Sequence, residues 1–110
     1  MPAALNLGEF EQLILLAILR LGDAAYGVTI RAELAERGGR HVAPGALYTA
    51  LERLEAKGYV GSFTGEPTAE RGGRAKRHFE VKAAGLRALS ASQEALRNMS
   101  IGLSRRWKRA

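Results

Sequence analysis

The chain has 110 residues, the length of one small domain, and its 46% content of hydrophobic residues is too high for an intrinsically disordered protein. Its longest apolar run, Leu13–Leu19, is too short to cross a membrane. Cysteine is absent, which excludes disulfides, thiolate nucleophiles and Cys-ligated metal sites.

The net charge of +6 is distributed unevenly along the chain. Residues 1–36 carry two basic and five acidic side chains, whereas residues 37–110 carry fifteen and six. A basic surface after residue 36 favours a polyanionic partner, either nucleic acid or an anionic membrane surface. No basic segment precedes an apolar one near Met1, so we expect no secretory signal. The absence of cysteine suits a cytoplasmic location, and of the two polyanions we expect nucleic acid and no membrane partner.

Apolar residues recur at helical spacing from Leu7 to Leu21, and Gly22 is placed to end this first helix. Further leucines lie on its other sides, so the helix must be covered on more than one face, by the rest of the domain or by a second subunit. A second, shorter helix is predicted from Tyr26 to about Arg37, ending at the two glycines that follow.

The third predicted helix begins at Pro44, because a proline at the first helical position loses no hydrogen bond. Leu47, Leu51 and Leu54 form its buried stripe, and Gly58 is placed just past its end. Ala46, Thr49, Arg53 and Lys57 share a neighbouring, partly basic stripe.

Two segments rich in aromatic and β-branched residues, Tyr59–Thr64 and Lys76–Lys82, predict a hairpin whose tip is rich in glycine and charge. A fourth helix is expected to begin after Lys82 and to run to near Leu103. Leu89, Leu96 and Leu103 recur every seven residues in it, which favours a dimer contact over the alternative, packing within its own domain.

This order of elements predicts a mostly α fold with a small β-hairpin, a winged helix-turn-helix. We expect the DNA-binding domain in residues 1–82, and a C-terminal dimerisation helix with a basic tail in residues 83–110. In such a domain the third helix normally enters the major groove of DNA. The small residues Pro44 and Gly45 let the N-terminus of that helix approach a phosphate closely. The alternative is an ordinary helix start followed by a solvated face.

Basic residues are also concentrated in the wing, where four of them lie within seven positions beside Gly72-Gly73: Arg71, Arg74, Lys76 and Arg77. Basic groups on a wing can follow a phosphate backbone or reach into a minor groove. A charged loop is more often simply solvated. The argument for DNA contact by this loop is therefore its position next to a helix-turn-helix.

Three motifs occur in order: YGVTI from Tyr26, APGALYTALERLEAKGYV from Ala43, and GGRAKRHFEVKAAG from Gly72. In them the chain resembles the PadR family of transcriptional regulators. The resemblance implies a homodimeric repressor that binds double-stranded DNA at an inverted repeat, with a C-terminal helix that packs across the dimer. It also implies that a small-molecule effector can enter an apolar space at the dimer interface; Leu96, Met99 and Leu103 are candidates to line that space, with core or dimer packing as the alternative.

By this resemblance, DNA contact is assigned to five residues of the helix pair and three of the wing: Tyr26, Pro44, Gly45, Tyr48, Thr49, Gly73, Arg74 and Lys76. Arg53 joins them through the stripe argument alone. The chain departs from the family pattern at Ala43 and Lys82, where members commonly have Ser and Thr. Losing such a cap typically costs about 1 kcal/mol of stability.

No catalytic or metal-binding pattern is recognisable. The two histidines, His41 and His78, have no carboxylate at metal-ligand spacing, and no phosphate-binding glycine motif occurs. We therefore expect neither an enzyme nor a cofactor. Two other functions stay open from sequence: a winged-helix module that binds another protein, and a nonspecific, nucleoid-type DNA binder held mainly by charge.

Overall fold

The computed structural model describes residues 7–65 and 76–103. Within them the elements follow in the order α1 (Glu9–Leu21), α2 (Gly27–Glu36), α3 (Pro44–Ala56), β1 (Val60–Thr64), β2 (Arg77–Val81) and α4 (Ala83–Ser100), with a single 3-10 turn at Gly22–Ala24. The predicted class is confirmed: the fold is mostly helical, with a two-stranded antiparallel hairpin before the C-terminal helix.

Helix boundaries follow the local signals in the sequence. Helix α1 begins two residues later than predicted because Gly8 is extended, and the backbone N–H of Gly8 donates to Glu11 Oε1 at 3.1 Å. The helix ends as predicted at Gly22, and α3 is followed by Gly58; their φ angles of 57° and 79° are left-handed values that glycine adopts readily.

Helix α3 begins at Pro44 as predicted. The preceding Ala43 is extended and contributes no side-chain cap, so no side chain satisfies the free N–H groups of the first turn. The helix nevertheless forms because its apolar stripe packs into the core, where Leu47, Leu51 and Leu54 are at most 1% exposed.

One hydrophobic core joins all six elements. Helix α1 is the main contributor, and the first half of α4 closes the core from the other end of the chain. The largest side chains that are fully buried are Ile14, Leu15, Ile30, Leu34, Leu47, Leu51, Leu54, Val60 and Phe79.

The hairpin is joined to the start of α2. Its strands pair in register from Val60 opposite Val81 to Thr64 opposite Arg77. On its outer side, the N–H of Phe79 donates to the carbonyl of Ala25 at 2.9 Å, next to an isolated bridge between Tyr26 and His78. The first residues of α2 therefore lie beside the wing, although about 50 residues separate them in sequence.

Helix α4 has two different halves. Its first half packs on the core through Gly85, Ala88 and Leu89, whereas all of residues 93–99 are exposed in the single chain. The seven-residue series is thereby divided, because Leu89 is buried while Leu96 is 61% exposed. The helix ends at Ser100, earlier than predicted, since the chain leaves the α conformation at Ile101. None of the helices in the described ranges is long and apolar enough to cross a bilayer.

Candidate nucleic-acid interface

One face of α3 is open to solvent along its length. Thr49 and Arg53 are exposed on this face, which is a different side of the helix from the buried leucines. Arg53 has no ion-pair or hydrogen-bond partner among the described residues. Its guanidinium is therefore available to a base edge or a phosphate, the two groups that arginine binds best in DNA.

The N-terminus of α3 is equally accessible. Pro44, Gly45 and Ala46 are exposed, and a Cβ atom added at Gly45 would have no heavy atom within 4 Å. The free N–H groups of the first turn carry a partial positive charge. A phosphate can therefore approach this helix end with little steric obstruction.

Tyr48 lies on a different side of α3 from Thr49. Its ring packs 6.5 Å from the ring of Phe79 in β2, and its hydroxyl end lies against Gly27 at the start of α2. The side chain is 38% exposed. Tyr48 thus contacts α2 and the wing at once, which the motif did not predict.

Tyr26 and Lys76, both predicted to contact DNA, contact each other. The Lys76 ammonium donates to the Tyr26 hydroxyl at 3.1 Å and lies 4.2 Å from the centre of its ring. The Tyr26 ring is also 5.4 Å from the ring of His78, whose Nδ1 is buried without a hydrogen-bond partner in the described part of the chain. This cluster holds the cation at the base of the wing beside the start of α2.

Two other basic residues that the sequence placed near the interface are neutralised within the fold. Arg77 donates to Glu55 Oε1 at 2.7 Å, and Glu55 also accepts from the Ser62 hydroxyl at 2.8 Å. Lys57 donates to Glu11 of α1 at 2.9 Å. These pairs attach the wing and α1 to α3, so the basic stripe of α3 is reduced to Arg53.

Gly73 and Arg74, the other predicted wing contacts, lie outside the described residues, as does Arg71. The described site therefore consists of the exposed face and N-terminus of α3, with Tyr26 and Lys76 beside them. Sequence reasoning missed Gly27 and Glu55. The Tyr26-Gly27 dipeptide of the first motif could have identified Gly27. No neighbouring sequence feature identifies the hydrogen-bond partners of Glu55. In the described ranges, no three His, Asp or Glu side chains form a group that could hold a metal ion.

Comparisons with known proteins identify a family and a shared fold. A family model described as "Transcriptional regulator PadR-like family" matches residues 15–91. None of the curated proteins compared with the chain matches it.

Solved structures share the fold at low sequence identity. A PadR family transcription regulator from Clostridium difficile R20291 is 21% identical, with a TM-score of 0.69 over 87% of this chain and 96% of that one. A PadR-like transcriptional regulator from Bacillus cereus is 19% identical, with a TM-score of 0.70 over 87% and 88%. A PadR family regulator from Eggerthella lenta is 22% identical, with a TM-score of 0.66 over 88% and 84%.

Proposed function

Because the chain belongs to the PadR-like family of transcriptional regulators, a non-enzymatic family whose members bind DNA, we propose that it is a homodimeric repressor of an inverted-repeat operator. The observation that carries this proposal is the exposed face of α3. That face joins an uncapped helix N-terminus to an arginine with no partner among the described residues.

In the proposed complex, α3 enters the major groove. Thr49 and Arg53 face base edges, while Pro44 and Gly45 bring the free N–H groups of the first turn to a phosphate. Tyr26 and Lys76 follow the neighbouring backbone, and the wing residues Gly73 and Arg74 extend that contact along the strand. Phosphate contacts position the domain, and the α3 contacts select the sequence.

The proposed dimer forms through the second half of α4. That half and the residues just after it expose apolar side chains in the single chain: Leu96 at 61% and Met99 at 77% in the helix, and Ile101 at 70% and Leu103 at 42% beyond its end. Exposed apolar surface of this kind marks an interaction site, and a helix end without packing is only marginally stable in water. A twofold dimer presents two copies of α3 to half-sites about one helical turn, ~34 Å, apart.

The same proposal includes release of the DNA by a small-molecule effector bound between the two C-terminal helices, where Leu96 and Met99 supply an apolar surface. It also includes a cytoplasmic location, because the DNA that a transcriptional regulator binds lies inside the cell. Residues 1–82 then serve DNA binding and residues 83–110 serve dimerisation.

Selection from a library of random 30-base-pair duplexes, at several salt concentrations, tests the proposal. We expect enrichment of an inverted repeat that the wild-type protein binds well above the level of unselected duplexes. Thr49→Ala should change which bases are preferred at one position of each half-site, because Thr49 reads base edges in the proposed complex.

Arg87→Ala is the control, since it removes one positive charge from an exposed position of α4 and should leave the preferred bases unchanged. Equal binding to every duplex with a steep salt dependence would instead identify a nonspecific DNA binder. Absence of binding at low salt would contradict the regulator and leave the protein-interaction module.

A further inference from the structure

Gly27, the first residue of α2, is buried beneath the side chain of Tyr48 from α3. A Cβ atom added at Gly27 would come closest to the Tyr48 hydroxyl oxygen and would lie 2.9 Å from its Cζ. Both atoms would lie closer to that Cβ than van der Waals contact allows. The Tyr48 side chain therefore takes its observed position against α2 because residue 27 has no side chain.

Backbone conformation does not require this glycine. Gly27 is helical and does not have a positive φ. In a helix without close neighbours, alanine is the more stable residue by the difference in backbone entropy. The observed requirement is for space, and the tyrosine ring occupies that space.

Tyr48 also reaches the wing. Its ring lies 6.5 Å from the ring of Phe79, a buried residue of β2, with the planes tilted by 54°. One side chain of α3 thus packs against the start of α2 and the second strand of the hairpin. Its neighbour in sequence, Thr49, faces the solvent on the proposed DNA-reading face.

We infer that Tyr48 and Gly27 form a steric lock that fixes α3 against α2 and the wing, and that Tyr48 supports operator recognition as a positioning residue. The inference rests on the proposed function and revises the expectation, drawn from the family resemblance, that Tyr48 contacts DNA. Tyr48 sets the orientation in which Thr49 and Arg53 meet the groove, through its ring, and its hydroxyl is not required for DNA contact.

A double-mutant cycle with Gly27→Ala and Tyr48→Phe tests the lock, measured as the thermal unfolding midpoint and as the Kd for the best duplex selected by the wild-type protein. Gly27→Ala should lower the midpoint by about 5 to 10 °C and weaken binding about tenfold, because the added methyl group displaces the ring. Tyr48→Phe alone keeps the ring and should bind within about twofold of wild type.

The decisive outcome is rescue by the conservative variant. In the Gly27→Ala background, Tyr48→Phe removes the closest atom and should recover part of both the midpoint and the affinity. If the ring contributes only to packing and does not orient α3, Gly27→Ala should lower the midpoint and leave DNA affinity unchanged, which would overturn the positioning role. Gly8→Ala is the control, since a Cβ there has nothing within 4 Å, and it should bind DNA like wild type.

Three further results would overturn the inference. A tenfold loss of affinity in Tyr48→Phe at an unchanged midpoint would identify a hydroxyl contact with DNA. The other two are a Gly27→Ala variant that equals wild type in both measurements, and a double variant that recovers neither the midpoint nor the affinity. If selection with the wild-type protein enriches no duplex, the proposed function fails, and the role of Tyr48 in DNA recognition fails with it. The unfolding midpoints of the variants still decide whether the lock between Tyr48 and Gly27 exists.

Discussion

Two glycines at the starts of neighbouring helices show how far the surroundings of a residue decide its role. Gly27 opens α2 and is covered by Tyr48, whereas Gly45 lies in the first turn of α3 and faces open solvent. Both are helical, so backbone conformation requires glycine at neither position. The first permits close packing between helices, and the second leaves room for an approaching ligand.

Gly45→Ala should therefore change stability and DNA affinity in opposite directions. Alanine is favoured over glycine in a helix by about 0.5 to 1 kcal/mol, and no neighbouring atom opposes the added methyl group. The free energy of unfolding, measured by urea denaturation, should rise, while the Kd for the selected duplex should increase because the methyl group lies between the helix end and the phosphate. Unchanged affinity would contradict a phosphate contact at the N-terminus of α3.

At the scale of the elements, the wing is held by contacts with both helices of the helix-turn-helix. Arg77 reaches Glu55 of α3, Lys76 reaches Tyr26 at the start of α2, and the backbone of Phe79 reaches Ala25. A two-stranded hairpin is only marginally stable by itself, so these contacts determine where its basic residues stand. The wing and α3 thus form one surface, which faces DNA in the proposed complex.

Lys76→Ala should weaken binding by a similar factor for all sequences, because a phosphate contact carries no base information. The slope of log Kd against log salt should also fall by about 0.9, the value for one lost phosphate contact. Arg87→Ala changes the net charge equally at a position on α4 and serves as the control. If both variants change the slope alike, Lys76 acts only through overall charge.

For the whole molecule, charge and exposed apolar side chains are distributed unevenly along the chain. The acidic excess belongs to residues 1–36 and the basic excess follows them, while Leu96, Met99, Ile101 and Leu103 form a cluster of exposed apolar residues at the end of α4 and just after it. Such a cluster suits a dimer in which α4 joins the subunits while the two copies of α3 remain free for DNA.

Leu96→Asp combined with Met99→Asp should convert the dimer into a monomer in sedimentation velocity at micromolar concentration, because two charges would be buried in an apolar interface. Binding to the inverted repeat should fall far more than binding to an isolated half-site. Asn98→Asp adds a charge to the opposite face of the same helix and should leave the dimer intact. A wild-type monomer would contradict the proposed symmetry.

The sequence by itself determined the order and type of the elements. The helix boundaries could be predicted to within a few residues from the spacing of the leucines and from Gly22, Pro44 and Gly58. Periodicity and φ preference depend on neighbours along the chain, so they can be recognised in the sequence. The exposed positions of Thr49 and Arg53 on α3 could be predicted for the same reason. The family motifs added candidate contacts but not their surroundings.

Only the tertiary structure decided which contacts each candidate side chain makes within the fold. Tyr48 packs on Gly27, Lys76 is held by Tyr26 from 50 residues away, and Lys57 is paired with α1. Such contacts depend on the distances and angles at which helices and strands pack, which are set by the shared core and not by any local segment. The division of α4 has the same origin, because the core covers Leu89 and ends before Leu96.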